Sequence, residues 1–248
     1  QILKDKNAVE VRFAFCFPDT YEIGMSNLGV RILYDVLNAR DDTWCERVYA
    51  PWVDMEECMR REGIPLWAHE SGDPVSCFDI VGFSLQYELC YTNVLNMLEL
   101  AGIPLLAADR DDTAPLVVGG GPCTYNAEPI ADYFDLFMIG EGEEVIEELV
   151  SLYKEHKKKG FHKEKFLHEA AKIGGIYVPS LYAVSYHDDG TIAAVHPKYD
   201  DIPVKIKKRI LTDLDRAPYP KTLVMPFIQT VQDKITLEVY RGCIRGCR

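Results

Sequence analysis

Two cysteines near the end of the chain have the type and spacing to hold a metal. The run Glu238-Val239-Tyr240-Arg241-Gly242-Cys243-Ile244-Arg245-Gly246-Cys247-Arg248 places Cys243 and Cys247 four positions apart on a glycine-flanked loop. Such a loop can turn both thiolates toward one centre, as iron–sulfur and other thiolate sites require. Arg241, Arg245 and Arg248 would favour thiolate over thiol. The pair alone does not name the metal, and two exposed loop cysteines without a ligand would show the same spacing. A second set of candidates lies on three loops: PDTYEIGMSNLG from Pro18, SLQYEL from Ser84 and GGGPCTYN from Gly119. Gly24, Gly119, Gly120 and Gly121 allow close backbone approach, so a large flat or phosphorylated ligand can lie against them. Ser26 and Thr124 offer hydroxyls near helix starts. The same glycines would also serve tight strand-to-helix turns and nothing more. Neither the G-x-G-x-x-G fingerprint nor a G-x-x-x-x-G-K-[ST] loop occurs, so no dinucleotide or nucleoside triphosphate is specified.

The elements that must position these loops alternate. Val11–Phe17 (VRFAFCF) reads as a strand and Ser26–Leu37 as a helix. Arg47–Ala50 reads as a short strand, and Asp54–Arg61 as a helix with a capping box of Asp54 and Glu57. Asp79–Leu85 is a strand, Glu88–Leu100 a helix, Leu116–Val118 a strand, Asn126–Tyr133 helical, Leu136–Ile139 a fifth strand and Glu143–Lys158 a surface helix. Alternation of this kind predicts an α/β fold, a doubly wound five-stranded parallel sheet with flavodoxin-like (Rossmann-like) order. Its ligand site is expected outside the carboxyl ends of the strands, where the three loops meet.

After Tyr153 the chain turns basic and polar. Phe166–Ile173 reads as a short helix, and strands flank an Asp189-Gly190 hairpin turn. The KIKKR run and the proline-rich APYPKTLVMP read as a linker, and Ile235–Val239 as the first strand of a further domain. Gly140-Glu141-Gly142-Glu143-Glu144 sits between a strand and a helix. Its acids stabilise a first helical turn by themselves, which suffices as a structural role; the alternative is a polar wall facing the next domain.

The end of the chain resembles the start of the radical S-adenosylmethionine motif, Cys-x-x-x-Cys-x-x-Cys. The strand ending in RGC-x-x-x-C resembles methylthiotransferases and radical enzymes with an N-terminal cobalamin-binding-type domain. VVGGG-P-x-T-x-N-x-E-P and DLFMIGEGEE resemble the last part of that domain, and the resemblance to a bacterial family of this group covers essentially the whole chain. It implies a [4Fe-4S] cluster held by three cysteines, with Cys243 and Cys247 as the first two and the third at position 250. S-adenosylmethionine would bind the open iron through its amino and carboxylate groups and be cleaved reductively to a 5'-deoxyadenosyl radical. The resemblance also allows cobalamin. The Asp-x-His-x-x-Gly string of that domain is matched by Asp19, Tyr21 and Gly24, with Tyr21 where the family has the cobalt-ligating His. Ser84 matches the Ser-x-Leu element in part, and Gly119 and Gly120 match the last glycine element. Without that His, cobalt would carry no protein ligand below.

The expected organisation is a cobalamin-binding-type domain over 8–158, a helix and β-hairpin extension over 159–200, a linker over 201–234, and over 235–248 the first strand of a truncated radical domain. Both ends are expected to be cuts in a longer protein. The 27 Lys and Arg against 39 Asp and Glu give a net charge of -12, so a general nucleic-acid binder fits poorly. No apolar run reaches the length of a membrane span, and the eight scattered cysteines read as cytoplasmic thiols. The six His show no metal spacing, and none is assigned to chemistry. Two functions follow. One is a radical enzyme, drawing electrons from a reductant such as flavodoxin or ferredoxin, whose leading fragment is inactive alone. The other is a non-catalytic binding or regulatory module that has lost cobalamin.

Overall fold

The structure is a computed structural model that describes residues 1–220, 224–232, 234, 236–242 and 245. Strand β1 (Val11–Phe17) is buried at every position but Arg12, as a strand covered on both faces must be. One helical turn, α1 (Tyr21–Gly24), leads into α2 (Leu28–Asn38). Helix α2 begins after the predicted Ser26 because Asn27 caps it, its Oδ1 accepting from the Val30 N–H at 3.0 Å. Strand β2 (Thr43–Tyr49) begins four residues before the predicted Arg47. Glu46 and Arg47 interrupt its apolar pattern, yet both are buried. Helix α3 (Val53–Glu62) starts ahead of Asp54, so the predicted capping box does not form; Asp54 Oδ1 accepts from the Met55 N–H instead.

Strand β3 (Ile80–Ser84), helix α4 (Tyr91–Leu100), strand β4 (Leu116–Gly120), strand β5 (Leu136–Met138) and helix α5 (Gly142–Lys158) complete the alternation. The predicted helix Asn126–Tyr133 is instead two 3-10 turns, Pro122–Asn126 and Glu128–Tyr133. Each carries a proline near its start, and neither piece is long enough for an α-helix to propagate.

The sheet order is β2-β1-β3-β4-β5-β6, with the first five strands parallel. The sixth, β6 (Ile176–Tyr177), corrects the five-strand expectation. It pairs antiparallel with β5, Tyr177 opposite Phe137 and Ile176 opposite Met138. Two residues carry no readable periodicity, which is why the sequence did not separate it from the hairpin. Helix α6 (Lys163–Ala170) precedes it, starting before the predicted Phe166. Strands β7 (Tyr182–Tyr186) and β8 (Ile192–Pro197) form a separate hairpin. Its turn holds Asp189-Gly190 as expected, with Asp189 Oδ1 accepting from the Thr191 N–H at 2.9 Å. The strand predicted over 235–239 is not seen: Ile235 lies outside the described residues, and residues 236–239 stand in no strand. A strand needs a partner for its backbone groups, and none of the described strands pairs with this one.

Register places Phe13, Phe15, Gly82 and Gly120 on one face of the sheet, where Gly29 and Leu33 of α2 and Gly142 of α5 meet them. Gly119 and Phe83 point to the other face, where Phe134 packs edge-on against Phe83 at 5.9 Å between centroids. The outer edge of β2 is not free. The Arg47 carbonyl accepts from the His69 N–H at 2.8 Å, and the Arg47 N–H donates to Glu70 Oε2 at 2.7 Å. Arg47 Nε donates to Glu70 Oε1, also at 2.7 Å, in a pair sealed from water. The Ser71 N–H donates to Glu46 Oε2 at 2.8 Å. The loop after α3 thus covers an edge that would otherwise invite another strand.

Candidate functional site

The strand order reverses between β1 and β3, so the crevice outside their carboxyl ends is where a ligand would be sought. Asp19 follows β1 and Tyr87 follows β3. They close on each other across this point, the Tyr87 hydroxyl donating to Asp19 Oδ2 at 2.9 Å. That carboxylate holds the Tyr87 phenol above its usual pKa. Asn93 of α4 donates to the Pro18 carbonyl at 3.0 Å and fixes the same loop. Tyr21 faces away from the switch point, toward the end of β2. Its ring packs edge-on to Tyr49 at 5.2 Å and lies 5.4 Å from His69 and 6.5 Å from Phe227. Its hydroxyl accepts the Phe227 N–H at 2.9 Å.

Gly24 lies against Tyr49. A Cβ there would stand 2.3 Å from Tyr49 Cε1, so this glycine admits an aromatic ring and leaves no space for a ligand. Ser84 Oγ accepts from Gln86 Nε2 at 2.6 Å. Gly119 and Gly120 part company: a Cβ on Gly119 would meet Phe137 Cδ1 at 2.6 Å, whereas one on Gly120 finds only Met138 Cε at 3.7 Å. The Thr124 hydroxyl is spent on the carbonyls of Gly121 and Met138, at 2.8 and 3.2 Å. Gly121 has φ +101 and sits where a Cβ would strike the Leu85 carbonyl at 2.7 Å, so its role is the turn itself.

His69 and Tyr49 are site residues the sequence did not reveal. His69 arrives on the loop that wraps β2, far in sequence from Tyr21, and its spacing to other histidines carried no signal. The Tyr21 and Tyr49 rings take part of its hydration while it keeps an exposed edge and, with the Arg47 guanidinium nearby, its pKa is pushed down to about 4. It is a neutral imidazole at neutral pH. Together with Trp52, Met55, Met59, Leu66 and Trp67 these rings line a cavity of about 640 Å³ beyond the end of β2.

The acidic turn ahead of α5 is occupied by the downstream chain. The Glu141 N–H donates to the Arg209 carbonyl at 3.1 Å, and Glu141 Oε2 accepts from the Leu211 N–H. Glu144 and Glu148 pair with Arg209. Gly140, at φ +105, allows this approach: a Cβ there would lie 2.2 Å from the Arg209 carbonyl oxygen. Arg241 donates to Glu143 Oε1 at 2.6 Å and to both oxygens of Glu238, at 2.8 and 2.7 Å; Glu141 Oε1 stands 3.6 Å away. The sequence assigned Arg241 to lowering the thiol pKa of the cysteines. Its charge is instead balanced by these carboxylates. Across the same edge the Ser26 hydroxyl donates to the Glu22 carbonyl at 2.7 Å and accepts the Gln232 N–H at 3.0 Å.

Cys243 and Cys247 lie outside the described residues. Among the described residues no group of three or more His, Cys, Asp or Glu is arranged to hold a metal. Four of the six cysteines there, Cys16, Cys45, Cys90 and Cys123, are buried and all six are free thiols. No helix there is long and apolar enough to cross a membrane.

Over the sheet the positions expected to hold cobalamin are crowded, and the roomier cavity lies beyond the end of β2, where Tyr21 lines it. The cavity over Gly82, Ser84, Gly120 and Gly121 holds about 150 Å³, below the roughly 300 Å³ at which ligand pockets begin. Phe13 fills the space over Gly82, Phe137 that over Gly119 and Tyr49 that over Gly24. Asp19 and Tyr21 are engaged by Tyr87 and Phe227.

Comparisons with known proteins bear on the family of the chain. A protein of Methanocaldococcus jannaschii, described as uncharacterized, is 25% identical over 241 residues, covering 95% of this chain and 39% of its own length. The chain therefore spans about two fifths of that relative. The solved structure of a radical S-adenosylmethionine methyltransferase, TsrM from Kitasatospora setae, holds tryptophan substrate and a SAM analogue. It is 14% identical, with 79% of this chain and 35% of that one covered at a TM-score of 0.39, too low a score to build on. The model of the family described as radical SAM proteins, N-terminal, matches residues 29–179, from the start of α2 past β6. More than half of the sequence lies inside that match, and the chain belongs to this family of radical SAM proteins.

Proposed function

We propose that the chain is the leading part of a radical S-adenosylmethionine enzyme whose α/β domain carries the cluster loop at its carboxyl edge. The observation that supports this most is the position of Arg241: in a chain of the radical SAM family, the residue that opens the Arg-Gly-Cys phrase is held at the acidic turn before α5. Cysteine thiolates are the usual protein donors of an iron–sulfur cluster. Cys243 and Cys247 would supply two thiolates to a [4Fe-4S] cluster, with the third from position 250. When bound, the cluster would supply the electron that cleaves S-adenosylmethionine, itself delivered by a reductant such as a flavodoxin or ferredoxin. The division at about residues 158, 200 and 234 belongs to this proposal, as does a cytoplasmic setting. Cobalamin does not, because Phe13, Phe137 and Tyr49 crowd the positions over Gly82, Gly119 and Gly24.

The test is reductive cleavage by the full-length protein under anaerobic conditions. The wild type is expected to release 5'-deoxyadenosine from S-adenosylmethionine, and Cys243→Ala or Cys247→Ala to abolish release. Wild-type product from either variant would sink the reading.

A further inference from the structure

We infer that Glu143 is a positioning residue for the cluster loop. It clamps Arg241, two residues ahead of Cys243, and so fixes the chain leading into that loop at the carboxyl edge of the sheet. The inference deepens the function proposed above and rests on it.

Glu143 stands in the first turn of α5, where a carboxylate would stabilise the helix in any case. Three observations go beyond that role. Its side chain is only 6% exposed, so it is not a solvated surface acid. Its Oε1 accepts from Arg241 Nη2 at 2.6 Å, a charge-assisted bond spanning 98 positions of sequence. Glu144, in the same turn, pairs with Arg209 instead. The acids of one helical turn thus address two different points of the downstream chain. Arg241 presents a planar fork: Nε and Nη2 take both oxygens of Glu238, and Nη2 also reaches Glu143. A lysine could not make the two parallel bonds to Glu238. Glu238 and Arg241 lie three residues apart, so their pairing shapes the approach to Gly242, which has φ +90. Glu143 is the member that ties this local turn to the sheet. The anchor is carried by a rigid element, α5, whose N-terminal Gly142 packs on Leu33 of α2. Side chains held this way place neighbouring ligands more reproducibly than a free loop does.

The experiment uses the full-length protein in three variants, Glu143→Gln, Arg241→Met and, as control, Glu144→Gln. In the iron-free protein, hydrogen exchange is followed by mass spectrometry over residues 236–242. Losing a charge-assisted bond should open that stretch about tenfold more often in Glu143→Gln and Arg241→Met. Glu144→Gln removes the same helix-terminal charge and should leave the stretch unchanged. After anaerobic reconstitution, the first two variants should show an altered electron paramagnetic resonance signal of the reduced cluster, and the control the wild-type signal. Arg241→Met keeps the test open if Glu143→Gln disturbs α5. Wild-type exchange in both clamp variants overturns the inference, as does the same change in the control. Faster exchange with an unchanged cluster signal overturns the positioning role. If the wild type cleaves no S-adenosylmethionine, the proposed function fails instead, and the exchange data show this separately.

Discussion

Gly119 and Gly120 are adjacent and identical in type, yet their surroundings differ. A methyl group on Gly119 would press into the Phe137 ring, while one on Gly120 meets a flexible Met138 methyl at ordinary contact distance. Gly119→Ala should therefore destabilise the fold by about 1–3 kcal/mol, the usual cost of overpacking. Gly120→Ala should stay within about 0.5 kcal/mol of wild type. Urea unfolding of the 248-residue chain would check both, and equal losses would contradict this account. The sequence marked both glycines as ligand positions because residue type cannot show what fills the space above a glycine. Tyr21 is a similar case. Its place in the string from Asp19 to Gly24 was legible, but its partners Tyr49, His69 and Phe227 come from three distant segments and left no local trace.

Among the elements, β1 and β3 were legible because strands buried on both faces write themselves as apolar runs. Strand β2 was read four residues short because Glu46 looks like a surface residue. Its burial and that of Arg47 depend on the covering loop: Arg47 meets Glu70, and Glu46 meets Arg12 at 2.5 Å. A buried charge is tolerable only when paired, and removing one partner strands the other. Glu70→Leu should thus cost roughly 3–5 kcal/mol, since Arg47 is left without its carboxylate in a sealed site. Hydrogen exchange should also rise along β2 before it rises along β3, because the loop that covers the edge loses its anchor. A variant as stable as wild type would show that the pair is dispensable. The antiparallel β6 escaped detection for a different reason. Two residues, Ile176 and Tyr177, pair with β5 and pack against it, too few for a side-chain periodicity to show.

For the molecule as a whole, the crevice over the sheet is crowded from within, and the open volume lies beyond the end of β2. Phe13, Phe137, Tyr49 and the Asp19–Tyr87 contact take the places a corrin and its tail would need. Aromatic rings can fill such volume at favourable burial energy. A cobalamin titration of the full-length protein, followed by absorbance, should show no binding at about 100 micromolar cofactor, a concentration that detects even modest affinity. A base-off spectrum developing during the titration would overturn this picture. The two hydroxyls at the edge, Tyr21 and Ser26, take main-chain N–H groups of Phe227 and Gln232 and none of their side-chain atoms. Every residue except proline can present that N–H. At Gln232 the downstream segment can therefore drift in sequence while the attachment survives, whereas Phe227 also lays its ring beside that of Tyr21. At Ser26 the selective burden falls on the hydroxyl side of the contact, and a comparison that scored only side-chain identity around 232 would underrate how the two parts are joined.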